Sequence, residues 1–218
     1  MSELGKKLSG KFIVIDGPDG AGKSTQLQLL AQFLRDSGAD LVEARDPGGT
    51  AIGDKIRQIL LSPEHDEMAV TTELMLYMAS RAQLVSQVLQ PALAAGKCVL
   101  CDRYAWSTVA YQGAGGMDPR AIEQVAQVAV GGLWPDLTII LDIDSAVGLS
   151  RIKRKADRME AKEIEFHKKV RELYLQQAKQ HPDRIAVVSA AGEVQDVHER
   201  ITRIVEKWPF WAASFGKH

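Results

Sequence analysis

The sequence has few of the features that mark secreted, membrane-spanning or nucleic-acid-coating proteins. Its 218 residues include only two cysteines, and 27 Lys and Arg nearly balance 28 Asp and Glu, for a net charge of −1. This balance excludes the basic surface of a protein that coats nucleic acid and the composition of a disordered acidic tail. No apolar run approaches the roughly 20 residues of a membrane span, and no signal-peptide hydrophobic region opens the chain. We therefore expect a globular, cytoplasmic protein that binds neither nucleic acid nor a membrane.

The two cysteines, Cys98 and Cys101, have the spacing of a redox pair or of half a zinc site. They bracket Val99 and Leu100 in a run that is typical of a buried strand. Residues three apart on a strand point to opposite faces, so these thiols cannot pair locally. We interpret both as core cysteines of a reducing compartment.

Short apolar runs alternate with longer segments of helical period, which predicts an α/β fold in one domain, 1–218. The predicted strands are 12–15, 41–42, 98–101, 137–141 and 185–188. The predicted helices are 24–37, 51–61, 71–95, 119–130, 163–180 and 193–207. Five strands separated by helices favour a parallel sheet with helices on both faces. Residues 1–10 are predicted to be a flexible lead-in, and 208–218 form an aromatic tail.

A glycine-rich loop between the first strand and the first long helix carries the strongest functional signal. It has the pattern G-x-x-x-x-G-K-[ST] and reads Gly17-Pro18-Asp19-Gly20-Ala21-Gly22-Lys23-Ser24-Thr25. Its backbone N–H groups and the following helix N-terminus suit phosphate binding. Lys23 would reach the β- and γ-phosphates, and the Ser24 hydroxyl would ligate Mg²⁺. The loop predicts a nucleoside triphosphate site but leaves the fate of the phosphate open.

Two arginines follow neighbouring predicted strands, at the sheet edge where α/β proteins bind ligands. Arg45 and Arg103 are suited to holding a second phosphate group by charge-assisted hydrogen bonds. Asp102 ends the third strand, where a carboxylate that contacts Mg²⁺ through water belongs.

Two further patterns have more than one interpretation. Tyr77 and Arg81 share a helix face, where they would contact a base, although a core tyrosine beside a solvated arginine fits the spacing equally well. The charged segment 151–163 fits a solvated surface, or supplies arginines that stabilise a phosphoryl group in transfer: Arg151, Arg154 and Arg158.

Five blocks of the sequence resemble the bacterial thymidylate kinase family, and the similarity runs from about Lys11 to about Trp208. The blocks are 17–25, 45–50, 77–81, 102–113 and 157–160. The resemblance implies a P-loop NTPase of the nucleoside monophosphate kinase type that phosphorylates dTMP to dTDP for dTTP supply, with ATP as donor and Mg²⁺ as cofactor. It also implies a homodimer and a lid at about 148–162.

The resemblance implies a role for each matching residue. Asp19 would contact the 3′-hydroxyl region of the sugar and organise the metal. Arg45 and Arg103 would bind the dTMP phosphate. The base would be held by stacking on Tyr77, by Arg81 at O4, and along its edge by Ser107 and Thr108. Gln112 of the same block would also bind the substrate. Tyr111 would lie under the sugar and exclude a 2′-hydroxyl.

Family members take a catalytic arginine either from the phosphate loop or from the lid. Gly20 stands where a loop arginine would be, so the resemblance favours the lid. The segment between Leu149 and Asp157 is about two residues shorter than the family pattern, so the choice among the three lid arginines stays open, with Arg154 favoured. Two alternatives remain: a kinase of this fold for another nucleoside monophosphate, and a nucleotide-binding regulator without transfer activity.

Overall fold

The computed structural model of the chain describes residues 2–153 and 156–214, with the side chains of the last helix as far as Trp208. Arg154, the favoured lid arginine, lies outside these residues, as do the side chains of the aromatic tail beyond Trp208. The five predicted strands occur, each longer at its C-terminal end: β1 (Phe12–Asp16), β2 (Leu41–Arg45), β3 (Cys98–Asp102), β4 (Leu137–Asp142) and β5 (Ile185–Ser189).

The α-helices of the described residues follow the predicted ranges, with three additions. They are α1 (Glu3–Lys7), α2 (Lys23–Asp36), α3 (Ala51–Leu61), α4 (Val70–Leu84), α5 (Gln90–Ala94), α6 (Ala105–Ala114), α7 (Pro119–Val130), α8 (Ser145–Ser150), α9 (Ile164–Gln180) and α10 (Val194–Ser214). A 3₁₀ turn spans Pro63–His65, and a π-helical turn (Val85–Leu89) joins α4 to α5. Pro91 lacks an N–H donor, so the wider turn before it accommodates a break in the regular α-helical pattern.

The strands form one parallel sheet in the order β2-β3-β1-β4-β5, which confirms the predicted architecture. β1 is central, so the loop that follows it lies at the middle of the carboxyl edge. The connections run to opposite sides of β1, and α/β proteins bind ligands at such a switch point. β2 is one of the two edge strands of this sheet.

Each face of the sheet carries an apolar layer. Phe12 and Val14 pack into the layer that contains α4, α6, α7 and α9, whereas Ile13 and Ile15 pack into the layer that contains α2 and α10. The cysteines divide in the same way, because Cys98 belongs to the second layer and Cys101 to the first. Both thiols are free and buried, and burial raises the pKa of Cys98 to about 12.

Three helices are absent from the sequence prediction. The predicted flexible lead-in contains α1, which Ser2 caps, and Leu8 directly after it is fully buried. Helix α6 is buried on all sides from Ala105 to Gly113, so it lacks the amphipathic period by which helices are recognised. Helix α8 has only six residues, which is too short for a periodic signal. Within the described part of the chain, no helix combines the length and the hydropathy needed to cross a bilayer.

Candidate active site

The glycine-rich loop closes over the N-terminus of α2. Gly17, Gly20 and Gly22 all have positive φ, the region that an L side chain rarely adopts. The Lys23 ammonium donates to the carbonyl oxygens of Gly17 at 3.0 Å and Pro18 at 2.7 Å. Burial, with the nearby Arg103 charge, lowers the pKa of Lys23 to about 8 although three carboxylates oppose the shift.

A cavity of about 500 Å³ lies at the carboxyl edge of the sheet, between this loop and the segment after α8. Its lining includes most of the residues singled out in the sequence: Asp19, Gly20, Gly22, Lys23, Ser24, Thr25, Tyr77, Arg81, Asp102, Arg103, Ser107, Thr108, Tyr111, Gln112 and Arg151. All five sequence blocks contribute at least one residue to this lining, and so does one lid arginine. Asp46 and Arg57 also line the cavity, although no sequence pattern predicted a role for either residue.

Arg103 occupies the centre of a dense polar network. Its backbone has φ of 64°, and its guanidinium pairs with Asp19 and donates to the Gly17 carbonyl oxygen at 3.0 Å. It also donates to the hydroxyls of Ser107 and Tyr174, both at 3.2 Å. These contacts hold the guanidinium beside the phosphate loop.

Asp19 is bound from two sides. Besides the Arg103 pair, its Oδ2 accepts from the Tyr111 hydroxyl at 2.6 Å. Burial alone would raise the pKa of Asp19, but the charges of Arg103 and Lys23 outweigh it and hold this pKa below its usual value. Burial raises the pKa of Tyr111 well above its usual range, so its phenol remains a donor.

The contacts of Arg81 decide between the two interpretations of the Tyr77 and Arg81 pair. Arg81 is only 1% exposed, pairs with Asp46, and donates to the Thr108 hydroxyl at 2.8 Å. The alternative of a solvated arginine is therefore wrong. Tyr77 is half-buried and lines the same cavity, which places an aromatic ring and a guanidinium together there.

Ser107 and Thr108 have hydrogen-bond partners within the protein. The Ser107 hydroxyl lies 2.6 Å from Asp16 Oδ1 and 2.8 Å from the Tyr174 hydroxyl. Thr108 accepts from Arg81. Both residues line the cavity, and their hydroxyls also help to hold the two arginines in place.

Arg45 does not line the cavity, which corrects its predicted role at the substrate phosphate. Its side chain is half exposed and lies 3.3 Å from Asp54. Successive side chains alternate across a strand, and it is the next one, Asp46, that turns inward to Arg81. Arg57 of α3 lines the cavity and donates to the Pro47 carbonyl oxygen at 2.9 Å. Arg57 lies within α3 and outside the five sequence blocks, so no motif pointed to it.

Arg158 also lies elsewhere than predicted. It was expected among the mobile lid arginines, but it is 6% exposed and does not line the cavity. Its Nε donates to the Leu60 carbonyl oxygen at 2.9 Å and its terminal nitrogen pairs with Glu73. A guanidinium committed to these partners is a structural link between the lid segment and α3–α4. Arg151 lines the cavity and is exposed, so it is the described lid arginine that faces the site.

A parallel sheet with this strand order, a phosphate-binding loop after its central strand, and arginines across the cavity define a P-loop NTPase of the nucleoside monophosphate kinase type. The family model for thymidylate kinase matches residues 15–201. The chain therefore belongs to the thymidylate kinase family.

Individual relatives agree with this assignment. A thymidylate kinase of Alcanivorax borkumensis is 42% identical over 207 residues, which are 94% of this chain and 100% of the relative. One of a Geobacillus species is 45% identical over 87% of this chain and 93% of its own length. The crystal structure of thymidylate kinase from Ehrlichia chaffeensis superposes with a TM-score of 0.75 at 29% identity, covering 89% of this chain and 98% of that one.

Proposed function

We propose that this protein transfers the γ-phosphoryl group of ATP to the phosphate of dTMP, giving dTDP and ADP for dTTP supply. The observation that carries the proposal is that the phosphate loop, the adjacent Arg103 and the Tyr77–Arg81 pair line one cavity in a chain of this family. A phosphate oxygen of dTMP would attack the γ-phosphorus while the bond to the bridging oxygen of ADP breaks. That oxygen is already anionic near neutral pH, so the reaction needs no general base.

The acceptor phosphate would lie at Arg103, with Arg57 as the second cation instead of Arg45. Both guanidinium groups line the cavity, and Arg103 is held by partners that do not have to move when a phosphate binds. Asp19 and Tyr111 would bound the deoxyribose. Tyr77 would stack on the base, and Arg81 would face its O4.

Lys23 would neutralise charge on the transferring group. A lid arginine, Arg151 or the undescribed Arg154, would assist it. Closure of the segment at about 148–162 would exclude water, the competing acceptor.

The residues present fit a Mg²⁺ ion. Asp102 Oδ1 is buried without a hydrogen-bond partner among the described residues, and Asp102 and Ser24 line one cavity. This suits Mg²⁺, which keeps several waters and takes its remaining ligands from substrate phosphates. The ion would supply charge neutralisation at the phosphates.

We extend the proposal to a homodimer in the cytoplasm, in one domain. Family resemblance supports the dimer, and so do exposed apolar side chains on α4 and on the two helices that pack against it, α3 and α7: Ile52, Ile59, Met75 and Val128. Two free, buried thiols suit a reducing compartment.

The test is an ADP-release assay with Mg-ATP and each of dTMP, dUMP, dCMP, dGMP, AMP and UMP. We expect strong turnover of dTMP, weaker turnover of dUMP and none of UMP. Turnover of a different monophosphate in preference to dTMP would refute the substrate assignment. ATP binding without turnover of any of them would refute the enzyme.

A further inference from the structure

The amide of Gln112 has a fixed orientation in the cavity wall. Gln112 lies on α6 with no exposed surface, and its Nε2 donates to Glu73 Oε1 at 2.6 Å. A carboxylate oxygen only accepts hydrogen bonds, so the NH₂ side of the amide must face Glu73. The amide oxygen then faces away, and it is buried without a partner among the described residues. Such an acceptor is costly unless a ligand donates to it.

Glu73 is itself held in place. Its second oxygen pairs with Arg158, which is anchored to the Leu60 carbonyl oxygen. Glu73 is 5% exposed and lies in the first turn of α4, four residues before Tyr77 and so on the same helix face. The oriented amide therefore belongs to the end of the cavity that contains the Tyr77 ring and Arg81.

We propose that Glu73, braced by Arg158, is a positioning residue that sets base specificity by fixing the Gln112 amide with its oxygen toward the base. This inference rests on the proposed function. Thymine and uracil carry a hydrogen on N3 and donate to that oxygen. Cytosine has no hydrogen on N3 and presents a second acceptor, so an amide that cannot rotate rejects it.

A positioning role for Glu73 predicts different kinetics from a role in packing alone. A residue that only joined α4 to the lid segment would, when changed, lower turnover of every nucleotide by the same factor. A residue that orients Gln112 changes the ratio between bases. The kcat/KM for dCMP divided by that for dTMP separates the two roles, and this ratio does not depend on how much of a preparation is folded.

The experiment measures kcat/KM for dTMP, dUMP and dCMP in the wild type and in Glu73→Gln. The glutamine is isosteric but both donates and accepts, so it permits Gln112 to rotate. We expect kcat/KM for dTMP and for dUMP to fall together by about tenfold. The ratio of kcat/KM for dCMP to that for dTMP should rise by about tenfold or more. Glu67→Gln is the matched control, because Glu67 is exposed in the turn before α4, and it should keep the wild-type ratio within twofold.

Two further variants keep the test decisive. Glu73→Gln leaves Arg158 as an unpaired buried charge, so the double variant with Arg158→Met removes both charges and should show the same change in ratio. In a Gln112→Met background, Glu73→Gln should no longer change the ratio, because both act through one amide.

A folded Glu73→Gln protein with the wild-type ratio would overturn the inference. An undiminished effect in the Gln112→Met background would overturn it as well. A wild-type protein that does not turn over dTMP would instead refute the proposed function, so the two failures are distinct.

Discussion

Arg103 shows how much of this site depends on one side chain. A non-glycine residue at positive φ costs about 1–2 kcal/mol, and such strain persists only where the surroundings enforce it. Here Asp19, Ser107 and Tyr174 enforce it through contacts to the guanidinium. Their combined effect is an arginine already positioned for an anion.

The two arginines that looked equivalent in sequence should differ in function. We expect Arg103→Ala to raise the KM for dTMP by about 100-fold, because charge-assisted hydrogen bonds to the acceptor are lost. Arg45→Ala should change this KM by less than about threefold, because Arg45 is half exposed and its side chain forms an ion pair with the exposed Asp54. Steady-state kinetics with varied dTMP would check both. Equal effects, or unchanged dTMP kinetics in Arg103→Ala, would contradict this assignment.

The lowered pKa of Lys23 predicts how ATP binding depends on pH. Its folded-state pKa is about 8, below the ordinary 10.5, so the free protein loses this charge as the pH rises through 8. Bound phosphates favour the charged form. ATP should therefore bind with proton uptake above pH 8, and its affinity should fall by up to tenfold per pH unit there.

Calorimetry at pH 8.5 in two buffers of different ionisation enthalpy measures this proton uptake. The same titration at pH 7 is the control, since Lys23 is then already protonated. Equal heats in both buffers at pH 8.5, with affinity constant from pH 7 to 9.5, would show that Lys23 does not titrate there.

At the scale of elements, the phosphate loop and helix α8 touch backbone to backbone. A Cβ at Gly20 would lie 1.8 Å from the Gly148 carbonyl oxygen, and Gly20 has a φ of 74°. A side chain at this position would have to displace α8. This gives a physical reason why no arginine stands in the loop here, and why a cation for the transferring group has to come from elsewhere.

The close contact makes Gly148 sensitive to a single methyl group. In a free helix Gly→Ala is stabilising by about 1 kcal/mol, but a Cβ here would lie 2.5 Å from the Asp19 carbonyl oxygen. Overpacking of this kind costs about 1–3 kcal/mol, so we expect Gly148→Ala to be net destabilising and to lower kcat by tenfold or more. Denaturant unfolding and steady-state kinetics check the two effects.

Val147→Ala is the matched control for that helix, because Val147 is 45% exposed on α8. Its free energy of unfolding should stay within about 0.5 kcal/mol of the wild type, and its kcat within twofold. A Gly148→Ala protein that is as stable and active as this control would show that α8 moves freely relative to the loop.

At the scale of the whole molecule, four exposed apolar side chains lie on α4 and on the two helices that pack against it, α3 and α7. Met75 is 50% exposed and Val128 is 82% exposed, on α4 and α7 of the layer that packs against Phe12 and Val14. Apolar surface that a monomer leaves in water is typical of a contact between subunits.

Light scattering at micromolar concentration should therefore give about twice the chain mass of 23.9 kDa. Met75→Glu should shift the protein toward monomer, since the contact would have to bury a charge. Val194→Glu, equally exposed on α10 of the other layer, should leave the dimer intact. A wild-type monomer, or dissociation by both substitutions alike, would refute the proposed interface.

Local patterns in the sequence predicted the five strands of the parallel sheet, the phosphate-binding loop, and the placement of the two cysteines on opposite faces of their strand. Strand alternation sends Cys98 and Cys101 to opposite layers in any register, and the loop from Gly17 to Thr25 is a contiguous motif whose geometry its own glycines permit. Together with the family resemblance, these local patterns indicate the class of protein and favour its chemistry from the sequence alone.

The tertiary structure alone decided which charged side chains reach the cavity. Arg45 pairs with the exposed Asp54 outside the cavity, whereas Arg57 of α3 lines it. Arg158 meets Glu73 across 85 residues of chain, and Gln112 meets Glu73 across 39. Whether an arginine is a free cation or a buried brace depends on such distant partners, and no local spacing encodes them.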